Sequence, residues 1–407
     1  MLADLSARFR SWRRNRQRLR RAWQLSAVDA AALARQAPPD PARVLVLRND
    51  SIGDYLLFRP WLRQLSQVVR HRGQRLTLAA NAVWVPLAQA WDADLWDELL
   101  VVDFGRFQQD MAYRTATLAT IGAGGYGEVI YPQHVRESAV ENFVQFLRAP
   151  MRVASLGEYH HERDLWFGLL NAGYTHLLPA TRQTLFEYDR NGEFYRNWLT
   201  WQAGGSDQEL RIVANPPLHL PLTDADVAAA QAAEGQPYVV LFPGASARQK
   251  RWPTRHFAQL ARALHARYAG RYQLVLAGSP ADDALAREIQ QAAGPQVPLD
   301  NRCGHTDLPG LAALIAGAAL LVSNDTVAAH LAAQAGIPCL VLLMGENYGK
   351  FFPYPPALLR APCPCLFPPS QEARFARGDF RPLERSPDIS TITVERALAA
   401  AMELLGA

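Results

Sequence analysis

The pattern that most restricts this chain is a repeated alternation of short apolar runs with longer amphipathic stretches. Runs at 43–47, 76–80, 99–103 and 128–131 occupy the first half, and runs at 238–242, 273–277, 319–323 and 339–343 the second. A run that is apolar throughout, without polar alternation, suits a strand covered on both faces. Between the runs lie stripes of helical period. Leu57, Trp61, Leu65 and Val68 recur at i, i+4, i+8 and i+11, and Phe257, Leu260 and Leu264 repeat the pattern in the second half. Further helical stretches fall near 255–268, 280–293 and 325–335. Strand, loop and helix in this succession predict an α/β chain with two doubly wound parallel sheets.

A length of 407 residues accommodates two such units and excludes one small domain. The pattern loosens from about Asn191 to Pro237, where Gly204-Gly205, Pro216-Pro217 and Pro221 crowd together. The division expected is a basic helical segment at 1–36, a Rossmann-like domain at 41–215, a second at 236–390, and a last helix at 391–407. In that helix Val394, Leu398, Ala401 and Leu405 keep helical spacing behind Thr393, a suitable N-cap. Two parallel sheets imply ligand sites at the carboxyl ends of their strands.

The net charge of +4 is unevenly placed. Residues 1–36 hold nine Arg against Asp4 and Asp29, a local +7 that leaves −3 on the other 371 residues. A basic arm on a nearly neutral body argues against a nucleic-acid binder, which would spread positive charge over its folded surface. Arg8 to Arg21, interspersed with Phe9, Trp12 and Leu19 and followed by Trp23, reads as a surface helix for an anionic membrane, or as a solvated or partner-binding arm. The arm lacks the apolar core of a secretory signal, and no run approaches the roughly 18 apolar residues of a membrane span. The expected location is cytoplasmic, peripheral on the inner face of the cytoplasmic membrane. Cys303, Cys339, Cys363 and Cys365 are too few and too scattered for a disulfide framework. Cys363-Pro364-Cys365 has no His nearby in sequence, so no metal site is expected there.

Three loops carry candidate chemistry. Asn49-Asp50-Ser51-Ile52-Gly53-Asp54 follows the first strand, and Asp54 suits either a catalytic base or a helix cap. Phe242-Pro243-Gly244-Ala245-Ser246, followed by Lys250-Arg251-Trp252-Pro253, combines small residues with cations, as a phosphate site does; an ordinary loop with a solvated Lys-Arg pair has the same composition. Ser323-Asn324-Asp325-Thr326 ends another strand and opens a helix through His330, where free backbone N–H groups favour anions. Gly122, Gly124, Gly125 and Gly127 imitate a dinucleotide fingerprint but precede their strand, the wrong context.

Taken together and in order, these three loops resemble the bacterial heptosyltransferases of lipopolysaccharide core synthesis, glycosyltransferase family 9. The intervening Leu276-Ala277-Gly278-Ser279, Cys303-Gly304, Leu311 to Asp325 and Gly336-Ile337-Pro338 agree, and the likeness runs from about 43 to 405, strongest at 237–345. It implies the GT-B fold, with the last helix packing back on the amino-terminal domain. It implies an inverting, metal-independent transferase using a nucleotide-diphosphate sugar, ADP-heptose first among them, with no further cofactor and a lipopolysaccharide-core or related glycan acceptor. Transfer of another sugar, such as N-acetylglucosamine, or a catalytically silent nucleotide-sugar scaffold, are the alternatives. Carried over, Asp54 matches the base, with Ser51 and Gly53 beside it on the acceptor side. Gly244, Ser246, Lys250, Arg251, Asp325, Thr326, Val327 and His330 fall on the donor side. Val327 departs from the family, which has Gly directly after Asp-Thr, and Glu346-Asn347-Tyr348 is also atypical.

Overall fold

The computed structural model describes residues 20–157, 165–202, 214–381 and 386–406, together with Arg16 and Gly204. Arg8, Arg10, Arg13, Arg14 and Arg18 of the basic arm lie outside the described residues. The chain forms two compact units, one of residues 1–183 and 188–216, the other of 184–187 and 217–407.

In the first unit six strands, β1 (Asp40–Arg48), β2 (Arg75–Asn81), β3 (Glu98–Val102), β4 (Tyr126–Tyr131), β5 (Met151–Ser155) and β6 (His176–Leu178), form a sheet in the order β3-β2-β1-β4-β5-β6. Every pairing in it is parallel. Residues Val44 to Arg48 of β1 are buried without a break, as a strand covered on both faces requires. Leu45, Leu47, Val129, Tyr131 and Ala154 meet Phe107, Leu118, Ile121 and Phe143 in one core. The helix Ile52–His71 buries Leu57, Trp61, Leu65 and Val69. Val69, in place of the expected Val68, completes the buried stripe at i+12, closer to four-residue spacing.

The second unit repeats the plan: β7 (Tyr238–Phe242), β8 (Gln273–Leu276), β9 (Leu299–Asn301), β10 (Leu320–Asn324), β11 (Cys339–Leu342) and β12 (Cys365–Leu366), in the order β12-β11-β10-β7-β8-β9, again parallel. The helix Thr254–Tyr268 lays Phe257, Leu260, Ala261 and Leu264 on this sheet, each large side chain contributing about 1.5–3 kcal/mol by leaving water.

Three features bear on the expected division. The helix Val394–Leu404 buries Ala397 and Ala401 in the core of the second unit, and Trp252 Nε1 donates to the Ile392 carbonyl just before it at 2.8 Å. This helix is therefore part of its own unit's core. The stretch from Asn191 is not loose at its start, because the helix Glu187–Gln202 runs through it, and Asp224–Glu234 is helical too. The basic segment is not separate along its whole length: residues 20–32 are helical, and Ala22 and Leu25 pack on Leu170 of the first unit. Asp29 is buried there in a bidentate pair with Arg114, at 2.5 and 2.6 Å, and accepts from Asn142 Nδ2 at 2.7 Å. Among the described residues no helix is long and apolar enough to cross a membrane.

Candidate functional site

Each sheet reverses its strand order between its first and fourth strands, β1/β4 and β7/β10. At such a switch point neighbouring loops part at the carboxyl ends of the strands and leave room for a ligand. The predicted loops follow β1, β7 and β10, so all of them stand at switch points.

In the first unit β1 ends at Arg48, and Asn49 and Asp50 lead into Ser51, the N-cap of Ile52–His71. Asp54 occupies the third helical position and completes a capping box: its Oδ2 accepts from the Ser51 backbone N–H at 3.2 Å and from Ser51 Oγ. The cap is thus Ser51, and Asp54 is its acidic partner, half-buried, with both bonds on one oxygen. Gly53 lies inside the same first turn, and Ser51 itself is exposed. The loop before them is pinned from three sides. Asn81 Nδ2 donates to the carbonyls of Asn49 and Asp50 at 3.0 and 2.9 Å, Trp84 Nε1 donates to the Asp50 carbonyl at 3.2 Å, and Tyr131 O–H donates to Asn49 Oδ1 at 2.9 Å.

Asp50 was not among the predicted site residues. Its carboxylate, 6% exposed, touches Arg48 Nε at 2.5 Å, and the fully buried Arg48 guanidinium lies 4.1 Å from the centre of the Phe58 ring. Burial pushes the Asp50 carboxyl up to about 7; Arg48 opposes the shift and the charge of Asp54 adds to it. A polar residue in a strand-end loop gives no sign of burial, so sequence could flag Asp50 only by its place four residues before Asp54.

In the second unit the loop after β7 is held against β10. Asn324 Nδ2 donates to the carbonyls of Pro243 and Gly244 at 2.8 and 3.2 Å, while its Oδ1 accepts from the Trp252 N–H at 3.0 Å. A Cβ on Gly244 would stand 2.6 Å from the Asp282 carboxyl, so only glycine fits that approach. Lys250 Nζ pairs with Asp325 Oδ2 at 2.9 Å, the side chains 23% and 19% exposed. Arg251 donates from Nε and a terminal nitrogen to the Ala245 carbonyl at 3.3 and 3.1 Å, which makes it a brace of the loop. Ser246 is exposed.

Thr326 caps the helix Val327–Ala335, accepting from the Ala328 N–H at 3.2 Å, and Val327 stands half-buried at the first helical position. His330 lies one turn deeper and is buried. Its Nδ1 is 2.8 Å from the Tyr354 hydroxyl, and its ring centre is 4.7 Å from that of Phe352. The structure thus joins Lys250 to Asp325 and seats His330 in an aromatic cluster. Lys250 and Asp325 line a concavity with Met344, Glu346, Tyr348 and Phe367. The atypical 346–348 segment therefore forms part of its wall. Among the described residues no group of three or more His, Cys, Asp or Glu side chains could hold a metal ion, and all four cysteines are free.

Residues 213–358, which contain both loops of this second site, match the sequence model of glycosyltransferase family 9 (heptosyltransferase). The chain is similar to family 9 glycosyltransferases over that stretch. Lipopolysaccharide heptosyltransferase 3 of Escherichia coli is 29% identical over 205 residues, 50% of this chain and 55% of that protein. Lipopolysaccharide heptosyltransferase 2 of Escherichia coli K12 is 36% identical over 121 residues, 29% of this chain and 34% of that one. The chain thus spans about half the length of the first of these relatives and a third of the second. The fold likeness is wider than the family 9 match. The family 9 transferase of Veillonella parvula superposes with a TM-score of 0.65 over 91% of this chain and 99% of its own, at 21% identity. ADP-heptose LPS heptosyltransferase II of E. coli gives 0.58 over 89% and 98%, also at 21%. Two Rossmann-like units in one chain are the GT-B fold of these neighbours.

Proposed function

We propose that the protein is an inverting glycosyltransferase that moves a sugar, heptose first among the candidates, from a nucleotide diphosphate to a lipopolysaccharide-core or related glycan. The observation that carries this reading is that the family 9 match, 213–358, takes in both donor-side loops, while Asp54 stands at the corresponding switch point of the other unit. In the proposed step Asp54 takes the proton of an acceptor hydroxyl, and that oxygen bonds to the anomeric carbon from the face opposite the leaving group. The bond from carbon to the diphosphate oxygen breaks, and the nucleotide departs with the electron pair. Lys250 and the backbone N–H groups at the start of Val327–Ala335 would oppose the charge that develops there. We assign no metal to this step; activity that survives a chelator supports the assignment, and its loss refutes it. The acceptor is placed at the cytoplasmic membrane face, a reading supported by the Arg8 to Arg21 arm and by Trp23, which is 77% exposed.

The deciding experiment is release of ADP from ADP-heptose in the presence and absence of a truncated lipopolysaccharide core, by wild type and Asp54→Asn. Acceptor-dependent release that falls about 10²-fold or more in the variant is expected for loss of a general base. Near-normal turnover in Asp54→Asn would reduce Asp54 to its capping role.

The Lys250–Asp325 pair and Val327 together favour one second reading, a nucleotide-sugar-binding scaffold. The pair neutralises the cation meant for the diphosphate, and Val327 puts a branched side chain where close approach is needed. A scaffold binds the nucleotide and releases none with acceptor present.

A further inference from the structure

The concavity that Lys250 and Asp325 line also has an aromatic wall, and that wall continues outward into water. Tyr348 and Phe367 line the concavity itself. Tyr348 packs in turn on Phe375 and Phe380, with ring centres 4.3 and 4.9 Å away, and Phe380 is 53% exposed. The backbone holds these rings in place. Gly345 has a φ of +87°, and a Cβ there would stand 2.8 Å from the Phe375 ring, so glycine lets the loop after β11 close onto the cluster. Within that loop the Gly349 N–H donates to the Phe352 carbonyl at 2.8 Å, and the Lys350 N–H to the Asn347 carbonyl at 3.0 Å. Phe380 lies between Asp379 and Arg381, which pair at 2.9 Å, and Arg374 bonds to the Asp379 carboxylate at 3.2 Å and to the Arg381 carbonyl at 2.8 Å. A ring that is more than half exposed is thus fixed on a braced turn. Single exposed rings are ordinary on a protein surface, but this one extends the wall of the candidate donor site.

We propose that these rings, with Glu346 and Asn347 beside them, form the subsite for the sugar of the donor. The inference rests on the reading of Lys250 and the start of the Val327–Ala335 helix as the diphosphate side. Lys250 already meets the charge of Asp325 at that end. Glu346 and Asn347 are exposed, and the Glu346 carboxylate, which accepts from Ser386 Oγ, keeps phosphate away from the aromatic end. An uncharged ring belongs there, and the donor has two such parts, its base and its sugar. A base is flat and suits a slot between parallel faces, whereas Tyr348 meets Phe380 at 26°, Phe375 at 38° and Phe367 at 47°. Rings tilted in steps match a puckered sugar, whose C–H bonds point at their electron-rich faces. Its hydroxyls both donate and accept, as the Asn347 amide does, and the Glu346 carboxylate accepts from them. The same loop reaches the diphosphate side, because Phe352 packs on His330 of the Val327–Ala335 helix with ring centres 4.7 Å apart.

Calorimetry of the full chain with ADP and with ADP-heptose tests the assignment in wild type, Phe380→Ala, Tyr348→Ala and Tyr348→Phe. Wild type should bind ADP-heptose more tightly than ADP. Each alanine variant should weaken ADP-heptose binding by about 3- to 10-fold, the scale of one lost ring contact, and leave ADP within about twofold of wild type. Tyr348→Phe keeps the ring and should bind both ligands as wild type does. Retained ADP affinity shows at the same time that the variants are folded. An equal loss for ADP and ADP-heptose in Phe380→Ala, whose ring is at the surface, would put the nucleoside on the rings and overturn the inference. Wild-type affinity for ADP-heptose in both alanine variants overturns it as well, and so does a wild type that gains nothing from the heptose. Failure of the proposed function reads differently: no acceptor-dependent release of ADP, with the gain from heptose and its dependence on the rings intact, counts against sugar transfer alone.

Discussion

Asp50→Asn should change how stability depends on pH, and the burial of the carboxyl sets the sign. In the unfolded chain the carboxyl loses its proton near 3.8, whereas in the fold it keeps the proton up to about 7. Between those values the folded state binds more protons than the unfolded state, so the contribution of Asp50 to stability falls as the pH rises. It is fully present below the unfolded value and gone above the folded one. A shift of this size at about 1.4 kcal/mol per unit gives about 4 kcal/mol over the window, and the 6% exposure of the carboxylate leaves little solvent screening to reduce it. Asparagine has nearly the shape of the protonated carboxyl and cannot ionise. The stability of the variant relative to wild type should therefore rise by about 3 kcal/mol between about pH 4.5 and pH 7.5, on top of whatever constant offset the amide brings. Urea unfolding of both proteins at the two pH values measures this as a difference of differences, in which the other titrating groups cancel. A relative stability equal at both values would mean that Asp50 is ionised in the fold throughout and that the Arg48 contact outweighs burial. The same measurement in an Asp54→Asn background should give a smaller change, because the charge of Asp54 is one of the causes that raise Asp50.

Further expectations follow from other contacts. Lys250→Ala should weaken binding of a nucleotide diphosphate by about 1.5–3 kcal/mol in calorimetry, and unchanged affinity would show that Lys250 remains with Asp325 when the ligand is present. Asp29→Ala leaves the Arg114 guanidinium buried without its carboxylate, which costs about 3–5 kcal/mol; a loss under about 1 kcal/mol in thermal or urea unfolding would show that residues 20–32 are not a working part of the first unit. Val327→Gly removes a branched side chain from the first turn of its helix at a helix cost of about 1 kcal/mol or less. It should tighten ADP-heptose binding in a scaffold and alter or weaken donor preference in an active transferase, and no change in either quantity would place residue 327 away from the phosphates.

What was legible in the sequence and what was not separates along one physical line. Runs buried on both faces announce themselves, because nearly all their residues are apolar; β1, β7 and β11 appeared within a residue or a few of their observed limits. The strands β5, β6, β9 and β12 did not. They lie toward the sheet margins, two to five residues long, and β5 and β6 begin with residues that water reaches, so the apolar signature is diluted. The same reasoning explains Asp29 and Asp50. Sequence counts both as ordinary acidic residues, Asp29 even as a countercharge within a solvated basic arm, because burial of a charge is decided by a partner far along the chain or by the packing of a loop. Arg114 lies 85 residues from Asp29, and the burial of Asp50 depends on how its loop packs beneath Asn81 and Trp84. Local pattern can therefore place a motif at a strand end, as it did for Asp54, Lys250 and Asp325. The pairing of the groups around the motif comes from contacts distant in sequence, and for that reason the Lys250–Asp325 pair became visible only in the folded chain.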